Sequence, residues 1–199
     1  MNPTKIRLSA KEAELISNSE IILTKNSIAA KVNQLLGQLA SKQQAIAGRL
    51  LKTEFLQAAP KIAKGENYEG LPWQLLDFPR VFGKEDILAI RTMFWWGNFF
   101  STTLHLAGIH QKDAIENLIN AYHQLSNENY FICINTDPWE HHLGQSNYKL
   151  IQQTHLQEYK QIISQNNFVK IVAAIPLMNW DEAEQFLLQH FELFIKIIK

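Results

Sequence analysis

Hydrophobic positions in the first third of the chain recur at steps of three and four residues, as they do along one face of an amphipathic helix. The stripe consists of Ile28, Val32, Leu35, Leu36 and Leu39. Ser9 and Glu12 stand at the spacing of a capping box, in which each side chain satisfies a free amide at the start of a helix. The pattern predicts a helical layer over residues 1–63, built as one long helix or two and ended near Pro60.

From residue 68 onward, β-favouring residues replace the helical spacing. Residues 73–78 predict one strand, and residues 89–96 and 99–107 predict two more. The last two flank Gly97-Asn98, and this dipeptide between two such runs is typical of a β-hairpin with a two-residue turn, because both residues tolerate a positive φ.

The register of this hairpin decides which side chains share a face of the sheet. A two-residue turn pairs Trp96 with Phe99, and side-chain alternation then sends Arg91 and His105 to opposite faces. Both faces are largely apolar near the turn, and each aromatic ring left in water exposes about 150–250 Å². We therefore expect helices to sandwich the sheet, or a second subunit to cover one face in a homodimer.

The rest of the chain alternates between helices and strands. In order, the pattern predicts a helix over 113–125, a strand over 130–135, a helix over 154–164, a strand over 168–175 and a final helix from 179. This order indicates a single α+β domain over residues 1–199, with residues 68–199 forming the sheet and its packed helices. N-terminal helices and a C-terminal helix would pack on a mixed, largely antiparallel sheet with the hairpin at its centre. The unit from 130 to 175 is compatible with a parallel crossover.

Composition narrows the classes of partner. The 199 residues contain 19 Lys plus Arg and 19 Asp plus Glu, so the chain lacks the strong positive field that nucleic-acid binding usually requires. No apolar stretch approaches the roughly 20 residues that span a bilayer, and residues 1–5 are not followed by the apolar run of a secretory signal. The single cysteine excludes an internal disulfide. We expect a cytoplasmic protein with neither nucleic acid nor membrane as a partner.

Four ionisable residues, Asp77, Arg80, Arg91 and His105, lie on or at the end of apolar strands, where each needs a partner because burying an unpaired charge is costly. In the functional interpretation, Arg80 and Arg91 bind an anionic small molecule by forked hydrogen bonds, with Tyr68 beside them. His105 then acts as general acid or base and Asp77 orients it. In the structural interpretation, Asp77 pairs with an arginine to tie two strands together, and His105 binds a backbone carbonyl.

Other candidate chemistry is weaker. His141 and His142 are adjacent and would point apart in an extended chain, so we expect no metal site there. Cys133 lies within an apolar strand, where burial should raise the pKa of its thiol and make a nucleophilic role unfavourable. The chain lacks the glycine-rich loops that bind nucleotides and dinucleotides, and we expect no cofactor.

Three blocks in the middle of the chain resemble uncharacterised bacterial proteins of similar length, such as those of Bacteroidetes. They are Tyr68-Glu69-Gly70-Leu71-Pro72-Trp73, Leu76-Asp77-Phe78-Pro79-Arg80 and Ala89-Ile90-Arg91-Thr92-Met93-Phe94-Trp95-Trp96-Gly97-Asn98. The resemblance implies a bacterial cytosolic protein and carries no activity or functional residue with it.

Three hypotheses on function follow from the sequence. The first is a domain whose sheet binds a small ligand or forms a homodimer, and it expects a concave pocket lined by strand residues. The second is an enzyme that acts on an anionic small molecule through Arg80, Arg91 and His105. The third is a protein-interaction module, which expects an exposed aromatic patch at Trp95, Trp96, Phe99 or Phe100.

Overall fold

The computed structural model describes residues 6–199 and shows an α+β fold. Its helices are α1 (Ala10–Ser17), α2 (Ser19–Leu50), α3 (Gly108–Asn120), α4 (Tyr122–Asn127), α5 (Leu156–Gln165) and α6 (Trp180–Ile198). Its strands are β1 (Lys61–Tyr68), β2 (Leu71–Phe82), β3 (Ile87–Trp95), β4 (Phe99–Ala107), β5 (Phe131–Cys133), β6 (Tyr148–Leu150) and β7 (Phe168–Pro176). The expectation of no signal peptide was based on residues 1–5, which lie outside the described part of the chain.

The N-terminal helical layer is confirmed in outline and corrected at its end. The capping box at the start of α1 is present, since the Glu12 amide donates to Ser9 Oγ and the Ser9 amide donates to Glu12 Oε2 at 2.7 Å. The predicted stripe belongs to α2, a single helix of 32 residues that buries Val32, Leu36 and Leu39. Helix was expected up to residue 63, but α2 ends at Leu50, a single 3-10 turn follows at Thr53–Leu56, and β1 begins at Lys61. This edge strand is mostly exposed and therefore lacks the apolar alternation that identifies a strand in sequence.

The seven strands form one sheet in the order β1-β2-β3-β4-β7-β5-β6. Every ladder between residues 6 and 199 is antiparallel. The parallel crossover expected between 130 and 175 is therefore wrong: β5 runs antiparallel to β7, with Ile132 opposite Ile171. The chain makes an additional reversal through β6, which pairs antiparallel with β5.

The central hairpin is confirmed, but its register differs by one residue from the expected one. Trp95, rather than Trp96, lies opposite Phe99. The turn contains three residues; Gly97 has a φ of 73°, and the Asn98 amide donates to the Trp95 carbonyl at 3.0 Å. A one-residue shift moves the side chains of one strand to the other face.

The two faces of the sheet are covered in different ways. The helices pack on one face, where Ile90, Leu104 and Ile171 are fully buried together with Phe191 of α6. The other face is covered by the segment 134–147, which we call the covering loop. Neither face of the hairpin centre therefore depends on a second subunit. None of the helices within residues 6–199 combines the length and apolarity needed to cross a membrane.

Candidate functional site

A cluster of ionisable side chains lies on the sheet face that the covering loop closes. We call Asp77, Arg91, His105 and Lys170, together with His141 of the loop, the polar cluster. Asp77 lies opposite Arg91 in the β2–β3 ladder, and His105 lies opposite Lys170 in the β4–β7 ladder. Side chains directly opposite each other share a face, and the corrected hairpin register adds Arg91 to the face that holds His105. The structure thus brings Arg91 and His105 together, whereas the two-residue turn had separated them.

Asp77 and Arg91 form a two-pronged ion pair. Arg91 Nε donates to Oδ1 and Nη2 donates to Oδ2 of the carboxylate, both at 2.8 Å. The side chains are only 7% and 17% exposed, and this planar arrangement is among the stronger charge-assisted contacts. The pair joins β2 to β3, which confirms the expectation of an aspartate–arginine tie between strands.

The third nitrogen of Arg91 contacts the covering loop. Arg91 Nη1 lies 3.2 Å from His141 Nε2. Since a guanidinium only donates, the imidazole must accept with Nε2 and be neutral. Burial, reinforced by the positive charges of Lys170 and Arg91, lowers the pKa of His141 to about 2, in agreement with this role as acceptor.

Tyr68, at the end of β1, binds the same loop with its hydroxyl. The oxygen accepts the amide N–H of His141 at 2.8 Å and that of His142 at 3.0 Å, and the hydroxyl donates to Glu140 Oε2 at 2.8 Å. Burial is the main cause that raises the pKa of Tyr68 to about 12. Tyr68 was expected to bind a ligand; here its hydrogen-bonding capacity is used by the chain itself.

Lys170 is the member of the polar cluster that the sequence analysis missed. Its ammonium, on a residue only 1% exposed, donates to the carbonyls of Pro138 at 2.8 Å and Glu140 at 2.7 Å. Burial lowers the pKa of Lys170 to about 8. The signal was available: a lysine in the middle of the apolar strand 168–175 needs partners for the same reason that Arg91 does.

His105 is buried without a polar partner at one ring nitrogen. The residue is 6% exposed, and no group in the described part of the chain hydrogen-bonds its Nε2. The rings of Trp139 and Phe168 pack edge-on against it at 5.8 and 5.7 Å. Burial, followed by the charges of Lys170 and Arg91, lowers the pKa of His105 to about 3. Both oxygens of Asp77 accept hydrogen bonds from Arg91 rather than from His105. An acid–base role of His105, oriented by Asp77, stays a prediction.

Arg80 lies in the same row of the sheet as His105, through Ala89, but its side chain makes no hydrogen bond to a member of this cluster in the described part of the chain. A register shift in β2 separates Asp77 from Arg80, and Arg80 Nε donates to the carbonyl of Ala59 at 2.7 Å. The ion pairs found within residues 6–199 do not include Arg80. Arg80 and Arg91 thus direct their guanidinium groups to different partners within the chain, and a shared anion between them stays a prediction.

Cys133 lies beside the polar cluster as a buried free thiol. Burial is the main cause that raises its pKa, which agrees with the expectation of a small, unreactive core residue. Among residues 6–199, no group of three or more His, Cys, Asp or Glu side chains is arranged to hold a metal ion.

A second feature, which we call the aromatic groove, opens on the helix-covered face beside the hairpin turn. It encloses about 490 Å³ and is lined by Ile28, Lys31, Phe94, Trp96, Gly97, Leu177 and Trp180. Its wall is part of a chain of aromatic contacts, with ring centroids 5.8 Å apart for Trp96 and Phe94, 5.3 Å for Phe94 and Phe100, and 5.5 Å for Phe100 and Trp180. Inclined aromatic pairs at such separations stabilise each other beyond the area that they bury.

The three-residue turn explains why this groove is open. Trp96 lies in the turn instead of in the ladder, and its ring remains only partly buried. Trp180 begins α6 and Ile28 belongs to α2, so the groove combines elements that are far apart in sequence. The sequence predicted a pocket lined by strand residues, and Phe94 is the strand residue that the prediction and this groove share.

A larger cleft of about 600 Å³ lies between α3 and α6. Most of its lining side chains are amides or charged groups, such as Asn120, Gln124 and Lys196. Small-molecule sites are predominantly apolar with a few polar groups, and the aromatic groove fits that description better.

No known protein family matches this chain, and no curated protein is significantly similar to it in sequence. The fold and the two features define an α+β protein with a closed polar cluster on one sheet face and an open aromatic groove on the other.

Proposed function

We propose that the protein binds a small, largely apolar molecule with an anionic group in the aromatic groove. The observation that carries this proposal is a preformed groove of about 490 Å³ with a mainly aromatic and aliphatic wall. Ligand pockets commonly enclose about 300–1,000 Å³ and are lined mostly by apolar side chains. The groove thus has the size and the chemistry of a small-molecule site.

Lys31 supplies the preference for an anionic group. It is the only ionisable residue of the groove lining, and the ion pairs within residues 6–199 leave its ammonium unengaged. A single cation at the rim of an apolar groove fixes the orientation of an amphipathic anion. The anionic small molecule expected from sequence is retained, at Lys31 rather than at Arg80 and Arg91.

Two dyes that differ in charge test this proposal on the full chain. The anionic dye 8-anilinonaphthalene-1-sulfonate and the neutral dye N-phenyl-1-naphthylamine should both bind saturably, measured by fluorescence titration. Trp96→Ala should weaken both at least about tenfold, the value of a lost aromatic contact of about 1.4 kcal/mol or more. Lys31→Gln should weaken only the anionic dye, by about threefold to fivefold.

Trp139→Ala is the matched control, because Trp139 is a half-exposed tryptophan on the opposite face of the sheet. It should leave both affinities unchanged. Equal losses in Trp96→Ala and Trp139→Ala, or no saturable binding of either dye to the native protein, would contradict the proposal. Near-ultraviolet circular dichroism of each variant establishes that the dyes report on a folded protein.

We further propose that this binding takes place in the cytoplasm of a bacterium. A free thiol at Cys133 suits a reducing compartment, and the bacterial origin rests on the resemblance of the central blocks. The even charge balance favours a small molecule over nucleic acid as the ligand.

A further inference from the structure

The segment 6–24, which we call the arm, stands outside the packed body of the protein. It comprises α1 and the first turns of α2. α1 has no buried residue, and the first buried residue of α2 is Val32. Polar contacts anchor α2 to the sheet from Lys25, whose Nζ lies 2.6 Å from Glu66 Oε2. The arm precedes this anchor.

The arm exposes a concentrated set of aliphatic side chains. Leu15, Ile16, Ile21, Ile22 and Leu23 are 42–72% exposed. Together they offer on the order of 400 Å² of apolar surface, close to the apolar part of the roughly 800 Å² that each partner gives to a stable interface. The largest apolar patch on a typical monomer is about 300–600 Å² and is often functional, so the arm is a candidate interaction surface.

The secondary structure of the arm also indicates a missing partner. α1 has eight residues, and isolated helices shorter than about 12–15 residues are marginal in water. The capping box at Ser9 and the Asn18 side chain that caps α2 at 3.0 Å satisfy the free amides of both helices. Caps define where the helices begin, and tertiary packing has to supply the remaining stability.

The charges of the arm suit a second copy of the chain. It carries both signs, with Arg7 and Lys11 against Glu12, Glu14 and Glu20. Helices that lie on membranes are rich in lysine and arginine on their polar face, and nucleic acids likewise require a positive excess. An interface with twofold symmetry requires a patch that complements itself, and a mixed set of charges meets that requirement.

We propose that two copies of the protein form a homodimer by packing arm against arm about a twofold axis. The contact buries the exposed leucines and isoleucines of both arms and places glutamates of one copy near cations of the other. This interface is separate from the centre of the hairpin, whose two faces are covered within one chain. The aromatic groove lies outside the arm, since the residues that α2 gives to its lining are Ile28 and Lys31.

Light scattering after size-exclusion chromatography tests the dimer on the full chain. At micromolar concentration the mass should be about twice 23.0 kDa. The double variant Ile16→Glu, Leu23→Glu should have the monomer mass, because it places like charges at the centre of the contact. Met178→Glu is the control, since Met178 is 94% exposed outside the arm, and it should remain dimeric. A monomeric native protein or a dimeric double variant would overturn the proposal.

A cross-linking experiment locates the contact independently. Because Cys133 is buried, Ser17→Cys introduces the only exposed thiol, and a flexible bismaleimide should join two chains rapidly through it. Ser146→Cys, exposed on the covering loop, should cross-link much more slowly. Equal rates at the two positions would contradict an arm-to-arm contact. Dye binding to the aromatic groove should persist in the monomeric double variant, which shows that its body is folded.

Discussion

The two faces of the central hairpin differ in how far their distinctive side chains, charged on one face and aromatic on the other, are enclosed by the chain. On one face, Asp77, Arg91 and Lys170 are charged and buried, and the chain provides a partner for each charge. On the other face, the rings of Phe94 and Trp96 form the wall of a groove that is left open. The difference follows from cost: an unpartnered buried charge is expensive, whereas a partly exposed aromatic ring is tolerated. Charged residues in an apolar strand therefore indicate contacts that hold segments of this chain together. The open apolar surface is the better indication of a ligand site.

The largest expected effect on stability comes from breaking the ion pair of the polar cluster. Asp77→Ala leaves the Arg91 guanidinium buried without its carboxylate, and removing one partner of such a pair typically costs about 3–5 kcal/mol. We expect a loss of that size in the free energy of unfolding, measured by urea denaturation. Trp96→Ala should cost much less, because its ring lies in a turn and is only partly buried.

The matched control for Asp77→Ala removes both charges. Asp77→Leu combined with Arg91→Met leaves no unpaired ion, so the double variant should be more stable than Asp77→Ala. If Asp77→Ala costs less than Trp96→Ala, the polar cluster does not hold the sheet together and the contrast between the two faces fails.

Local rules identified the features that depend on neighbouring residues. The stripe of α2, the capping box at Ser9 and the existence of the hairpin each follow from spacing over a few positions. The need of Asp77 for an arginine also followed, because desolvation applies to any carboxylate in an apolar strand. These predictions required no knowledge of how distant segments meet.

The remaining features depend on turn length and on distant contacts. Gly97-Asn98 is compatible with turns of two or three residues, and the choice decided whether Arg91 and His105 share a face. The covering loop binds Tyr68, Arg91 and Lys170 through its backbone as well as through His141, and backbone contacts leave no residue pattern in the sequence. The aromatic groove likewise requires the positions of α2 and α6 relative to the hairpin turn.

A smaller expected effect is that the buried histidines of the polar cluster make the free energy of unfolding depend on pH. His105 and His141 have pKa values lowered to about 3 and about 2 in the fold, against about 6.5 in an unfolded chain. Below pH 6.5 the unfolded chain binds more protons than the native one, so the free energy of unfolding decreases as the pH decreases. The stabilisation is complete above about pH 6.5 and declines as the pH falls toward 3. Between pH 7 and pH 5 we expect a loss of about 1–2 kcal/mol for each histidine, measured by urea denaturation at a series of pH values.

His141→Gln sharpens this test, since glutamine can still accept from Arg91 but does not titrate. It should remove about a third of the slope of stability against pH, because burial also lowers the pKa of His190 to about 4. His123→Gln changes an exposed histidine and should leave the slope unchanged. A native protein with equal stability at pH 7 and pH 5 would show that the buried histidines are not held neutral by the fold.

The smallest expected effect is that of Arg80→Ala. This variant tests whether an anion binds on the face of the polar cluster or in the aromatic groove. Within residues 6–199 the Arg80 side chain donates one hydrogen bond, from Nε to the carbonyl of Ala59, so Arg80→Ala should cost only about 1 kcal/mol. The sequence-based hypothesis expects the same variant to abolish binding of an anionic ligand. The structure instead predicts that Arg80→Ala keeps its affinity for the anionic dye, whereas Lys31→Gln loses about threefold to fivefold. If the dye follows Arg80 and ignores Lys31, the anion binds on the side of the polar cluster, because only there would the guanidinium be needed.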